Sequence, residues 1–394
     1  MALLYNISTY FFLIVINFAA LFNAKARLWV KGRECVFKKL GNALMNIENI
    51  AWFHCASLGE FEQGKPIIKA YKKKYPGHKI LLTFFSPSGY EIRKNTPLAD
   101  FVFYLPADTK ANAKHFIQLV NPIKVIFIKY EFWFNYMAEC KKQNIPFYSV
   151  SSIFRKDQAF FKYKWFTKQL SNVTHFFVQN KTSMELLKSI GLFNTTISGD
   201  SRFDSVLETT QNSMQFPLIE DFCKCKRTII CGSTWSKDEM LLAQYIKKNP
   251  QFNYIIAPHE LHHISKLKKQ TNALLFSKST EQNIFTSNVL IIDSIGILSH
   301  IYKYGFIAYI GGGFGSGIHN ILEAITFGLP VVFGPNYKKI NEAKDLINIK
   351  SAISVKDYSQ LKKAFSIFTN FDNSIATNYI KENIGATDIV CNNI

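Results

Sequence analysis

Two glutamates occupy turns that follow apolar runs. Glu60 lies in Ala56-Ser57-Leu58-Gly59-Glu60 behind Ile50–Cys55, and Glu131 lies in Lys129-Tyr130-Glu131-Phe132-Trp133 behind Lys124–Ile128. A carboxylate in such a turn either stabilises a helix start through the dipole or takes a proton from an attacking hydroxyl. Two of them at equivalent strand ends of one sheet favour a catalytic role. Ser86-Pro87-Ser88-Gly89 is a third turn of this kind, with small residues suited to holding an acceptor.

A second chemical stretch runs from Phe306 to Glu323, FIAYIGGGFGSGIHNILE. It reads as a buried strand, a glycine turn that includes Gly312 and Gly313, and a helix beginning near His319. Glycines let a backbone approach a ligand, and a helix start offers N–H groups to an anion, so a phosphate suits this place. The same glycines also fit a tight turn chosen for sterics alone. Asn320 and Glu323 are three apart and share a helix face, where a carboxylate suits a sugar hydroxyl. Gly328 to Pro335 then gives turn, short strand and turn.

These turns need a sheet to hold them. Strand-like runs at Ile50–Cys55, Lys79–Phe85, Phe101–Leu105, Lys124–Ile128, Pro146–Val150, His175–Val178 and Thr195–Ser198 alternate with helical stretches, the first from about Phe61 to Lys74. That alternation predicts a parallel sheet covered on both faces, with ligands at the carboxyl ends of the strands. A polar lapse from Ser205 to Lys226, with Asn212, Ser213 and Pro217, marks the hinge. A second series starts at Arg227–Gly232 and continues with Asn253–Ala257, Val289–Ile292 and the glycine segment. Its first turn predicts a capping box with Ser236 as N-cap and Glu239 three residues on. His259 and His263 stand at i, i+4, but they lack the HExxH pattern and a third ligand, so no metal is expected. The expected domains are an anchor at 1–30, a first Rossmann-like domain at 31–210 and a second at 222–394.

The 394 residues suffice for two cores, and a formal net charge of +19 admits nucleic acid, an anionic membrane surface or a phosphorylated substrate as partner. Lysines spread along the whole chain, without finger spacing or an RNA-recognition signature, argue against nucleic acid. Seven scattered cysteines with no CxxC pair read as reduced thiols. From Leu3 to Val30 there is no acidic residue, and the apolar run Tyr10–Phe22 is followed by Lys25, Arg27, Lys31, Arg33, Lys38 and Lys39. This pattern predicts an uncleaved anchor, spanning or interfacial, with the rest of the chain on the cytoplasmic side and no strand drawn from the anchor.

FHCASLGE at 53–60, KYEFWFN at 129–135, CGSTW at 231–235, GGGFGSGIHNILEA at 311–324 and GLPVVFGP at 328–335 stand in the order of the 3-deoxy-D-manno-octulosonic acid (Kdo) transferases, which the chain resembles from the anchor to Gly385-Ala386-Thr387. The resemblance implies an α/β GT-B architecture, two Rossmann-like domains facing a cleft. It implies inverting transfer of Kdo from CMP-Kdo to a lipid A precursor at the cytoplasmic face of the inner membrane, without a metal or other cofactor. By position, Glu60 matches the family's general base and Glu131 its second acidic motif. CMP-binding positions fall on Pro258 and His259, on Ile295, Gly296 and Ile297, and on Asn320, Ile321, Leu322 and Glu323. The chain departs from the family at His259-Glu260-Leu261, where Arg-His-Pro is common, and at Gly296-Ile297-Leu298, where Gly-Glu-Leu is. Two alternatives stay open: a GT-B enzyme using another nucleotide sugar, such as a UDP-sugar transferase or epimerase, and an inactive membrane-attached binding protein.

Overall fold

Six consecutive buried residues, Ile50–Cys55, form β1, an interior strand of the first sheet. Around it stand β2 (Lys79–Phe84), β3 (Phe101–Tyr104), β4 (Lys124–Ile128), β5 (Phe147–Ser152), β6 (His175–Val178) and β7 (Thr195–Ile197). All pair in parallel, in the order β3-β2-β1-β4-β5-β6-β7. Alternation sends Trp52, Leu81, Val125 and Phe147 into one core and Phe53, Leu82 and Ile126 into another. Both faces are therefore dry, as parallel strands require. The computed structural model describes every residue except Tyr130, Asn212 and Ser213, so Tyr130 of the second acidic turn and Asn212-Ser213 of the expected hinge lie outside the described residues.

The second sheet comprises β8 (Thr228–Thr234), β9 (Asn253–Pro258), β10 (Leu274–Leu275), β11 (Val289–Ile291), β12 (Ile307–Ile310), β13 (Val331–Phe333) and β14 (Ala352–Ser354). Its order is β10-β11-β9-β8-β12-β13-β14, again all parallel. The sequence reading missed β10 and β14, edge strands of two and three residues that are too short to show a period. In both sheets the strand order reverses beside the first strand, between β1 and β4 and between β8 and β12. Open α/β sheets bind ligands at such points.

The chain divides into two compact units, Met1–Ser205 with Asn383–Ile394, and Val206–Glu382. The expected second domain of 222–394 is therefore too long. Val390, Cys391 and Ile394 bury against Ile67, Ile68 and Tyr71 in the core of the first unit. Asp204 fixes this return, accepting from the backbone N–H groups of Gly385 and Thr387 at 2.7 Å each and from the Thr387 hydroxyl at 2.6 Å. Apolar residues spaced along the last helix explain why it could not stay on the surface, but nothing in their pattern says which core they join.

The helix Ala2–Ala19 is long and apolar enough to cross a membrane. Leu3, Leu4, Ile7, Phe11, Ile14 and Phe18 are exposed along it. Tyr5, Thr9, Leu13, Ile16 and Ala20 make a less exposed stripe at helical spacing. That stripe docks on the first unit, with Tyr5 against Phe134 and Trp165, and Phe12 beside it meets Trp29 and Phe85. The segment is thus not separate from the domain. Arg33, grouped by sequence with the basic residues behind the anchor, is a partly buried clamp. Its guanidinium donates to the carbonyls of Trp29, Phe85 and Leu105 and lies 3.6 Å from the Trp29 ring centroid.

Replacing Asp204 with Ala removes three hydrogen bonds from the return of the chain and should lower stability by about 1–3 kcal/mol. Amide exchange in Ala386–Asn392 should rise well before that of β1. Unchanged protection of this helix would show that its apolar face alone holds it.

Candidate active site

On the first unit, the helix after β1 runs Leu58–Lys74 with Ser57 as N-cap, three residues earlier than the sequence suggested. Glu60 is therefore its third residue, and its carboxylate turns back to accept the Ala56 N–H. A solvated capping carboxylate would need no further explanation. Glu60, however, is only 8% exposed. Burial pushes its pKa up to about 7, with repulsion from Glu131 adding to the rise, while Lys129 and the backbone N–H groups of Ala56 and Ser57 oppose it. Such a group exchanges its proton near neutral pH, as a general base must.

Glu131 reaches the same place from β4, the direct neighbour of β1. Lys129 turns the chain there with φ of +65°, a conformation that side chains disfavour. It is held by its N–H to the Val150 carbonyl at 2.7 Å and by the Ser149 and Ser152 hydroxyls donating to its own carbonyl at 3.0 and 2.6 Å. Sequence reasoning passed over both serines, which look like ordinary polar residues of β5. Burial also raises the Glu131 pKa, against the Lys129 charge. The Ser86 turn joins the same edge through its N–H, which donates to the Ala56 carbonyl at 2.7 Å.

A buried imidazole underlies this edge. Trp133 Nε1–H donates to His54 Nε2 at 3.2 Å, so the imidazole proton sits on Nδ1 and is donated to Thr83 Oγ1 at 2.9 Å. Trp52 Nε1–H donates to the same oxygen at 2.7 Å. Complete burial lowers the His54 pKa to about 3, so the ring stays neutral.

On the second unit, Asp238 organises the turns. Fully buried, its carboxylate accepts the Trp235 N–H at 2.9 Å, the Tyr309 hydroxyl at 2.8 Å and the Gly312 N–H at 3.0 Å. The N-cap is Trp235 with Asp238 at the third helical position, not the expected Ser236 and Glu239, because Asp238 faces the glycine turn. Glu239 instead accepts from the Thr234 hydroxyl at 3.0 Å and pairs with His263 Nε2. A Cβ on Gly311 would lie 2.2 Å from the Ser233 carbonyl oxygen, and one on Gly313 would lie 2.6 Å from the Gly334 backbone. These two glycines therefore serve the packing of turns on one another. Gly312 has φ of +90°.

The helix expected from His319 is a single turn, Leu322–Ile325, so it has little dipole to offer. Asn320 stands before it, accepting the Leu322 N–H at 3.1 Å and donating to Glu323 Oε1 at 3.0 Å. Ile321 and Leu322 are buried core residues. Pro258 closes β9, and His259 behind it stacks on Trp235 at 4.6 Å and on His319 at 4.4 Å. Trp235 Nε1–H donates to His319 Nε2 at 2.9 Å. His319 is neutral near pH 7, because burial first and His259 second lower its pKa to about 4. Ile295, Gly296 and Ile297 lie on the same sheet edge, in the loop after β11, with Ile295 87% exposed. The glycine loop and the Pro335–Ile340 segment line a cavity of about 1050 Å³ that also contains Lys338, Lys339 and Lys356.

His259 and His263 do not share a helix face. The helix starts at Ile264, His259 joins the ring stack, and His263 binds Glu239. Among the described residues, Glu260, His262 and His263 bring ligand atoms within 4.8 Å of one another.

Residues 30–205 match the family model described as 3-deoxy-D-manno-octulosonic-acid transferase (kdotransferase). Over 327 residues the chain is 28% identical to the 3-deoxy-D-manno-octulosonic acid transferase of Aquifex aeolicus (strain VF5), covering 81% of this chain and 86% of that one. It is 27% identical over 347 residues to the transferase of the same description from Rickettsia bellii (strain RML369-C), covering 85% and 82%. A UDP-GlcNAc 2-epimerase from Neisseria meningitidis, solved bound to UDP-GlcNAc, superposes with a TM-score of 0.56 at 14% identity, covering 87% of this chain and 98% of that one. That likeness establishes the pair of Rossmann-like units of the GT-B class.

The raised Glu60 pKa has a consequence for stability. Between its ordinary value of 4.5 and about 7 the folded state holds a proton that the unfolded chain releases, so stability falls as pH rises through this window. At roughly 1.4 kcal/mol per pKa unit, the cost above pH 7 is on the order of 3 kcal/mol. Glu60→Gln should therefore melt above the wild type at pH 8, and the difference should shrink below pH 5. Parallel melting curves at both pH values would mean that Glu60 titrates as a solvated group.

Proposed function

We propose, for a chain whose residues 30–205 match the Kdo transferase family model and which is similar to Kdo transferases over most of its length, that it transfers Kdo from CMP-Kdo to a lipid A precursor. The observation that carries this reading is Glu60, a buried carboxylate poised near neutrality where β1 meets β4, beside Glu131. Glu60 takes the proton of the attacking sugar hydroxyl, whose oxygen bonds to the anomeric carbon of Kdo from the face opposite the nucleotide. The anomeric C–O bond breaks, CMP leaves with the electron pair on its phosphate oxygen, and the configuration inverts. A monophosphate leaving group carries less charge than a diphosphate, so residue N–H groups and the basic surface suffice to receive it and no metal is invoked.

The donor is assigned to the second unit. This reading gives Asn320 and Glu323 to nucleotide hydroxyls, and Gly312 and Gly313 with His319 to the phosphate. Pro258, His259 and the Ile295–Ile297 loop border the same edge and complete the assignment. The lipid acceptor suits the exposed apolar face of Ala2–Ala19 and the basic residues after it, and both support a position on the cytoplasmic side of an anionic membrane surface.

Mass spectrometry of the lipid formed from CMP-Kdo and a tetraacyl precursor tests the reading directly. Glu60→Gln should reduce transfer about 10²–10⁴-fold with CMP affinity unchanged. A variant retaining more than about a tenth of the wild-type rate would remove Glu60 from the role. Calorimetry on Glu323→Ala should show CMP binding weakened by roughly 1–3 kcal/mol. Stronger stabilisation of the wild type by UDP than by CMP would favour a different donor.

A further inference from the structure

The first turn of the N-terminal helix reaches into the scaffold of the Glu131 turn. Tyr5 donates its hydroxyl to Asp108 Oδ2 at 2.5 Å. Asp108 is 2% exposed, and its two oxygens also accept the backbone N–H groups of Asn135 and Tyr136 at 3.1 Å each. Those N–H groups open the helix Phe134–Lys142, which begins three residues after Glu131. Asn135 extends the link, donating its amide to the Asp108 carbonyl at 2.6 Å and to Asn6 Oδ1 at 3.1 Å. The Tyr5 ring packs on Phe134 at 4.9 Å.

We propose that Tyr5 is a positioning residue for the Glu131 turn, so that the apolar N-terminal helix is part of the catalytic scaffold as well as a means of attachment. The chain of contacts runs from Tyr5 through the Asp108 carboxylate to the start of the helix that bears Phe132 and Trp133 on its lead-in. Asp108 needs its donors to remain ionised, since burial lifts its pKa to about 6 and the Tyr5 hydroxyl and the two N–H groups oppose the rise. Without the hydroxyl it protonates more readily and holds the two N–H groups less well, and the turn before them loosens. Glu131 then repels Glu60 less. The groups that set the Glu60 titration are Glu131 and Lys129 from the turn after β4, with Cys55 of β1 and Glu62 of its own helix nearby.

The proposal rests on the transferase reading, and its test is chosen to be separable from it. In Tyr5→Phe the ring packing is kept. The transfer rate constant should fall roughly tenfold, as for loss of one buried hydrogen bond, with donor KM unchanged. The Glu60 carboxyl, followed by 13C NMR in glutamate-labelled protein with Glu60→Gln as assignment, should titrate at lower pH than in the wild type. This titration is readable even if CMP-Kdo proves not to be the donor. A double variant of the exposed face, Leu3→Ala with Ile7→Ala, should weaken binding to anionic vesicles and leave the titration in place. Asn6→Ala gives a milder version of the Tyr5 effect if Tyr5→Phe folds poorly. An unchanged Glu60 titration in both Tyr5→Phe and Asn6→Ala would overturn the proposal and leave the helix as an attachment device alone.

Discussion

A carboxylate taken out of water needs donors, and the way this chain meets that need decides both its architecture and its chemistry. Asp238 and Asp108 each collect three donors, and each ties together segments that are far apart in sequence: Trp235 with Tyr309 and Gly312, and Tyr5 with Asn135 and Tyr136. Glu60 is also buried, and it has a second carboxylate for a neighbour. Low dielectric strengthens both the bonds of the first pair and the repulsion in the second. The three-donor carboxylates therefore become rivets, while burial, reinforced by the neighbouring carboxylate, raises the pKa of Glu60 to about 7.

The sequence showed the strands of the first sheet and where its turns fall, because each is a buried apolar run with a clear break behind it. It could not show strand order. Glu60 and Glu131 meet because β1 pairs with β4 rather than remaining apart with two strands between, and no local pattern encodes that choice. The same limit hid the C-terminal helix, whose apolar face fits either core. Other differences came from competition between neighbouring acids. Both Asp238 and Glu239 follow Trp235 at capping distance, and only the buried partners Tyr309 and Gly312 select Asp238.

The glycine segment shows how far composition can mislead about purpose. Five glycines in a row of turns suggest space for a ligand, yet Gly311 and Gly313 are required by the backbones of Ser233 and Gly334 lying against them. Close packing of three strand-end turns makes a stiff floor. A stiff floor still serves a ligand, because dipoles that do not reorganise stabilise developing charge more effectively than mobile ones. Packing and binding are therefore not rival explanations here, and the first is the condition for the second.

Each unit also carries one tryptophan that fixes a neutral imidazole at its strand-end edge. Trp133 donates to His54 Nε2 and Trp235 donates to His319 Nε2, so in both rings the proton is confined to Nδ1. The two sites then diverge. His54 spends its proton on Thr83 inside the sheet and has nothing left to offer. His319 sits only partly covered, between His259 and the cavity under the glycine loop, with an uncharged N–H donor. A neutral donor can hold a sugar or phosphate oxygen without trapping a departing anion as tightly as an imidazolium would, which is what the proposed release of a nucleotide after each transfer calls for.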